Sequence, residues 1–177
     1  MVGFSLQSSP GDTINPEKFD HVLLEKLVLN EVNAFREEKG VQPVLPNEKL
    51  FLAAEDQANY IAKIGKLSHS QPNAKKAKTR DRVEFYGAKM RGVGENTAYV
   101  KLFTNAIYKG EGGGLDTLVI DTYELAAKYL ALSWINSPPH NANMQFEHYE
   151  FSGLKVVYRA NTKSLYAVQV FGFDFDE

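Results

Sequence analysis

Three side chains in the sequence, His69, Glu95 and His140, are of the types that bind metal ions or move protons. Neutral imidazole and carboxylate oxygen are good ligands for zinc and copper, and a glutamate near a metal-bound water can act as a general base. The three residues lie far apart along the chain, so their spacing does not show whether they meet. Their types therefore allow a metal site, an acid–base site or three separate surface groups.

Each of the three stands where the chain is expected to turn. His69 follows a predicted helix in the stretch KLSHSQ, and Glu95 stands beside glycines in GVGENTAYV, ahead of a strand expected at Thr97–Lys101. His140 comes directly after Pro138 and Pro139, which should end a helix and fix a sharp corner. Corners of this kind can aim a side chain into a cleft, although a surface position is the commoner outcome.

Other motifs point to no further chemistry. The stretch GEGGG lacks the lysine and hydroxyl residue of a phosphate-binding loop, so we expect a flexible connection within a long loop over 102–120. The sequence contains no HExxH, GxSxG or calcium-binding loop pattern, which removes several hydrolase and calcium-protein hypotheses. His21 and His148 are expected on the surface. The basic run from Lys75 to Arg82 has Asp81 and Glu84 in the same segment and no aromatic residues interleaved, so it is interpreted as a solvated loop and helix face.

The composition excludes several classes of protein. The chain of 177 residues has a formal net charge of −2 and no dominant basic stripe, so nucleic acid is not expected as a partner. The absence of cysteine excludes disulfides, a thiolate nucleophile and a cysteine-ligated zinc site. No apolar window is long enough for a transmembrane helix, and the opening residues lack the pattern of a signal peptide. Residues 1–18 are expected to form a flexible N-terminal tail.

Hydrophobic periodicity predicts a single α+β domain. Helices are expected over 19–39, from Asn47 to Gly65, over 79–86 and over 122–136. After Phe151 the sequence is rich in Val, Tyr and Phe on both sides of a polar turn, which predicts an antiparallel hairpin. Helices interspersed with a small, largely antiparallel sheet indicate a layered α+β fold.

Four stretches in this order, LSHSQ, DRVEFYGAKMRGVGENTAYV, SWINSPPHNANM and FSGLKVVY, resemble the CAP superfamily, which comprises the cysteine-rich secretory, antigen 5 and pathogenesis-related proteins. The likeness is greatest to cysteine-free bacterial members and extends over about residues 20 to 172. It implies an α-β-α sandwich, with a single CAP domain over 19–177.

The resemblance also implies a central cavity. His69 and His140 match the two cavity histidines, which are candidate metal ligands, and no catalytic residue is assigned. Many eukaryotic members carry a second glutamate where this chain has Ser137. The other residues expected to line the cavity are Glu95, Asn96, Ser70, Ser137 and Trp134.

Three functions remain open at this point. The first is a binding or interaction module whose cavity holds zinc or another divalent metal ion. Such a module would be secreted or located in the cell envelope or periplasm. The second is a metal-assisted hydrolase with Glu95 as general base, and the third is a carrier of a lipid or sterol. The expected partner is a small molecule, a lipid or a protein, and a purely structural polar network is a further alternative. The oligomeric state is left open.

Overall fold

A computed structural model describes residues 8–109 and 115–174 of the chain. The helices are α1 (His21–Glu38), α2 (Glu48–Ile64), α3 (Thr79–Phe85), α4 (Tyr123–Ile135) and α5 (Pro138–Gln145), with a short 3-10 helix at Ala74–Lys76. The strands are β1 (Leu45–Pro46), β2 (Gly92–Lys101), β3 (Asn105–Lys109), β4 (Leu115–Val119), β5 (Phe151–Arg159) and β6 (Ser164–Phe173).

The main sheet has four strands in the order β1-β5-β6-β2. The pairs β5–β6 and β6–β2 are antiparallel, and the two-residue β1 runs parallel to β5, so the sheet is mixed. Helices α1 and α4 share one apolar core with one face of the sheet, whereas α2 and α3 form a second core with the other face. The predicted α-β-α sandwich is confirmed.

The two longest helices follow directly from the sequence pattern. In α1 the apolar stripe from Leu24 to Phe35 is buried, and the Asp20 side chain caps the helix by accepting from the Leu23 amide. Helix α2 begins at the predicted Asn47 cap and ends at Gly65, which adopts the left-handed conformation with φ +70°. Among the described residues, no helix is both long and apolar enough to cross a membrane.

Helix α2 lies directly against the backbone of β5 at Gly153. A Cβ atom added to Gly153 would lie 2.0 Å from the carbonyl carbon of Leu50 and from the amide nitrogen of Phe51. No side chain fits there, so the absence of a Cβ sets the separation between the helix and the sheet.

The outer edge of β5 is closed by two side chains of α1. The Val156 amide donates to Glu25 at 3.1 Å, and Nδ1 of His21 lies 3.1 Å from the Val156 carbonyl oxygen. Because the two residues are four positions apart on the helix, they lie on one face and meet both backbone groups of one strand residue. Burial is the main cause of the raised pKa of Glu25. His21 was expected on the surface, but it is half-buried because its ring lies against β5.

Three predictions about the connections need correction or comment. The segment 102–120 was expected to be a loop, but it contains β3 and β4, which pair antiparallel; its glycine run at 110–114 lies outside the described residues. Strand β2 starts earlier than predicted, so Glu95 lies within it. Part of the expected tail packs on the domain, because Ile14 is buried and its amide donates to Asp121. The flexibility of residues 1–18 stays a prediction.

Candidate functional site

The segment that presents His69 is anchored to α2 by buried amide contacts. Gln57, fully buried on α2, donates from Nε2 to the carbonyl oxygen of Ser68 and accepts from Nε2 of Gln71 at 3.0 Å. A glutamine on the apolar face of a helix is the signal that could have pointed to this role. The two contacts hold the backbone before His69 and a side chain after it.

Glu95 lies at the centre of the site and is almost completely buried, with 2% of its side chain exposed. Its Oε1 atom lies 2.8 Å from Nδ1 of His69, and its Oε2 atom accepts from Nη2 of Arg82 at 2.5 Å. Both carboxylate oxygens therefore have partners. An imidazole oriented by a carboxylate in this way keeps its Nε2 atom available for another ligand.

Arg82 is the residue of the site that sequence reasoning missed. Its side chain is fully buried on α3, where it donates to the carbonyl oxygens of Lys76 at 3.1 Å and of His69 at 3.4 Å, besides pairing with Glu95. The interpretation of the basic run as a solvated face is wrong for this residue. Nothing in the local charge pattern distinguishes Arg82 from its exposed neighbours.

His140 lies in the first turn of α5. Pro138 and Pro139 do end α4, as predicted, but they also begin α5, because proline suits the first positions of a helix where its missing N–H costs nothing. The His140 carbonyl oxygen accepts from Nδ2 of Asn96 at 3.1 Å. Asn143, one turn later, donates to the Asn96 side chain at 2.9 Å and to the Glu95 carbonyl oxygen at 3.2 Å. Strand β2 and helix α5 are thus joined by side-chain amides.

The two imidazoles lie close together, with ring centroids 6.0 Å apart and planes at 57°. The space between His69 and His140 is called the cleft. The hydrogen bond to Glu95 raises the pKa of His69, whose side chain is 53% exposed. Burial, followed by the charge of His69, lowers the pKa of His140. The pair therefore divides into one imidazole that holds a proton more readily and one that stays neutral.

The structure brings together His69, Glu95, Asn96 and the backbone of His140, but it places the other three predicted lining residues differently. Ser70 is exposed and hydrogen-bonds within its own loop to Ser68. Ser137 is half-buried at the N-cap of α5, and Trp134 is fully buried in the core shared by α1 and α4. Across 8–109 and 115–174, no three His, Cys, Asp or Glu residues are grouped so as to hold a metal ion.

A separate apolar groove of about 520 Å³ lies between α1 and α2. Its floor is the start of β5, and its walls include Val22 and Leu29 of α1 and Phe51 of α2. None of the cleft residues lines it.

Solved structures share this fold at low sequence identity. An extracellular protein containing an SCP domain from Bacillus anthracis has a TM-score of 0.65 and 16% identity, and the match covers 94% of this chain and 45% of that protein. An outer surface protein from Borrelia burgdorferi has a TM-score of 0.66 and 14% identity, covering 93% and 99%. A cysteine-rich secretory protein from Staphylococcus aureus has a TM-score of 0.57 and 14% identity, covering 86% and 39%. The chain thus spans less than half the length of two of these proteins.

No curated protein sequence matches the chain significantly. The profile of the cysteine-rich secretory protein family, CAP, matches residues 29–171. This range includes His69, Glu95, His140 and the whole main sheet except the last two residues of β6. The chain belongs to the CAP family.

Proposed function

We propose that this domain is a secreted or envelope-attached binding module in which His69 and His140 together hold a divalent metal ion, with zinc as the first candidate. Family membership and the fold shared with extracellular and outer surface proteins support the location. The residue types and the spacing of the two imidazoles support the metal ion.

The donor set suits zinc in chemistry and in spacing. With zinc–nitrogen distances of about 2.1 Å and a tetrahedral angle, two ligating imidazole centroids lie roughly 5 Å apart. The observed separation is 6.0 Å. The observed separation is therefore about 1 Å wider than this geometry requires, so the two rings must approach each other when an ion binds.

The contact between Nδ1 of His69 and Glu95 carries the proposal. It fixes the tautomer and the orientation of the ring, as partners of metal-ligating histidines commonly do. Glu95 is itself held by Arg82, so the whole assembly is positioned before any ligand arrives. The lowered pKa of His140 keeps this second imidazole neutral, which is the form that ligates.

In this proposal Glu95 orients His69 rather than binding the metal ion directly. Both of its oxygens already accept from charged or polar donors, so it is a poor candidate for a general base, and the hydrolase alternative has no other named base. Two protein ligands leave coordination positions open. In this proposal, water or a donor group from a partner completes the coordination, which suits a binding module with an exchangeable ion.

Calorimetric titration with zinc near neutral pH tests the proposal. We expect His69→Ala and His140→Ala each to weaken zinc binding by about tenfold or more. His148→Ala is the matched control, because this histidine is 63% exposed and its ring contacts are with Phe146 and Phe173. Equal binding by the wild type and both cleft variants would refute the metal-binding function.

The groove between α1 and α2 supports lipid carriage as a second candidate. Its volume falls in the range of small-molecule sites, and its apolar walls suit a single acyl chain. A fluorescent fatty acid is the probe, and Phe51→Asp is the disrupting variant. Binding that is lost in Phe51→Asp but kept in His69→Ala would favour this function, whereas no binding by the wild type would exclude it for that ligand class.

A further inference from the structure

The loop that carries His69 has no apolar anchor of its own. Every residue from 63 to 81 is exposed or half-buried, so the hydrophobic core does not determine where this segment lies. Its position depends on polar contacts at its two ends. Gln57 supplies the contacts at the near end, where it binds Ser68 and Gln71.

Lys76 supplies the contacts at the far end. Its ammonium group pairs with Asp56 of α2 at 2.8 Å and donates to the hydroxyl of Tyr86 at 3.0 Å. It also lies 4.3 Å from the ring centroid of Phe85 and 5.0 Å from that of Tyr86. Only 17% of the side chain is exposed, so the charge is held by an acid and two aromatic rings in a partly desolvated place.

The backbone of Lys76 leads directly to the site. Its carbonyl oxygen accepts from Nη1 of Arg82, whose Nη2 atom contacts both the His69 carbonyl oxygen and Glu95. The carbonyl of Ala77, the next residue, accepts from the Gln71 amide at 3.0 Å and closes the loop on itself. A displacement of residue 76 therefore acts on the two groups that orient His69.

We propose that Lys76 is a positioning residue for His69, which it keeps in place by fixing the end of this loop to α2 and α3. The inference rests on the proposed metal-binding function and deepens it. Lys76 touches no metal ligand with its side chain, so its effect on binding must pass through His69. This dependence separates it from a residue that only stabilises the domain.

A double-mutant cycle tests this dependence. Lys76→Met removes the charge and keeps most of the apolar stem, and Lys75→Met is the matched control at an exposed neighbour. We expect Lys76→Met to weaken zinc binding about tenfold in the wild-type background and to have no further effect in His69→Ala. Lys75→Met should leave zinc binding unchanged in both backgrounds.

A second measurement needs no metal. Nitrogen NMR at one fixed pH reports which ring nitrogen of His69 carries the proton. We expect the Nδ1–H tautomer to predominate in the wild type and in Lys75→Met, and the two tautomers to mix in Lys76→Met. Tyr86→Phe, which removes one hydroxyl, should shift the tautomers in the same direction by a smaller amount and serves if Lys76→Met does not fold.

The outcomes separate the two proposals. An equal loss of zinc affinity from Lys76→Met in both backgrounds would overturn the positioning role, and so would an unchanged tautomer ratio. If the wild type binds no zinc, the metal-binding function fails. The tautomer ratio then decides the role of Lys76 alone.

Discussion

His69 and His140 lie close together but are held by different kinds of contact. His69 is fixed through its ring, which is bound to a buried carboxylate that is paired in turn with a buried guanidinium. His140 is fixed through its backbone, by the start of α5 and the carbonyl contact with Asn96. No side chain within the described ranges hydrogen-bonds its ring nitrogens.

The difference shows how one cleft can hold two imidazoles with opposite properties. The hydrogen bond to Glu95 raises the pKa of His69, whereas burial lowers that of His140. One half of the site therefore depends on electrostatics and the other on packing and helix geometry. Variants that remove one kind of contact should affect the two halves unequally.

Glu95→Ala should produce the largest effect, because it leaves the buried guanidinium of Arg82 without its charged partner. We expect a loss of about 3–5 kcal/mol in the free energy of unfolding, measured with urea. Glu84→Ala is the control, since Glu84 makes only an exposed pair with Arg80 and should cost less than about 1 kcal/mol. Similar losses for the two variants would show that the buried pair of Glu95 and Arg82 contributes no more to stability than an exposed pair.

Asn96→Ala should have an intermediate effect on the His140 half. It removes the donor to the His140 carbonyl and leaves the half-buried Nδ2 group of Asn143 with one acceptor fewer. The expected cost is about 1–3 kcal/mol by urea unfolding. Asn161→Ala, in the exposed turn between β5 and β6, should change stability by less than about 0.5 kcal/mol.

Pro138→Ala should have a smaller effect, through the unfolded chain rather than through lost contacts. Proline at the first position of α5 restricts the unfolded state, so its removal should lower stability by about 0.4–1 kcal/mol. The change should appear as a small drop in Tm, with zinc binding little altered. A Pro138→Ala variant that is more stable than the wild type would show that proline is unfavourable at this position.

The smallest effect is a pH dependence of opposite sign at the two histidines. The pKa of His69 is raised, so its contribution to stability is complete below its unfolded value of about 6.5 and is lost as pH rises through the folded value. The pKa of His140 is lowered, so its contribution is present above about 6.5 and is lost as pH falls through the folded value.

Urea midpoints between about pH 5 and about pH 8 can separate these contributions. The stability difference between wild type and His69→Ala should shrink as pH rises, and that between wild type and His140→Ala should shrink as pH falls. Trends of the same sign for both variants would contradict pKa shifts of opposite direction at His69 and His140.

The periodic parts of the fold could be predicted from the sequence, because local patterns determine them. The stripe of α1, the Asn47 cap of α2 and the closing hairpin all follow from short-range spacing. The segment 102–120 was mistaken for a loop, because its strands pair mainly with each other and its glycines resemble a flexible connection.

The site was predictable only through its resemblance to a family. His69, Glu95 and His140 have suitable types, but nothing local shows that residues from a loop, a strand and a helix converge. Arg82 and Lys76 could not be identified, because a run of charged residues has the same composition whether its members are solvated or buried. Their roles depend on long-range contacts.

Gly153 of β5 influences the position of His69 although it lies outside the cleft. Helix α2 lies on the bare backbone at this position, and the same helix carries Gln57, which holds the segment on either side of His69. A single methyl group at residue 153 would have to displace the helix, and the histidine would move with it. The position of the segment that carries His69 thus depends on the missing Cβ at residue 153, which lies at the floor of the groove between α1 and α2 and outside the cleft.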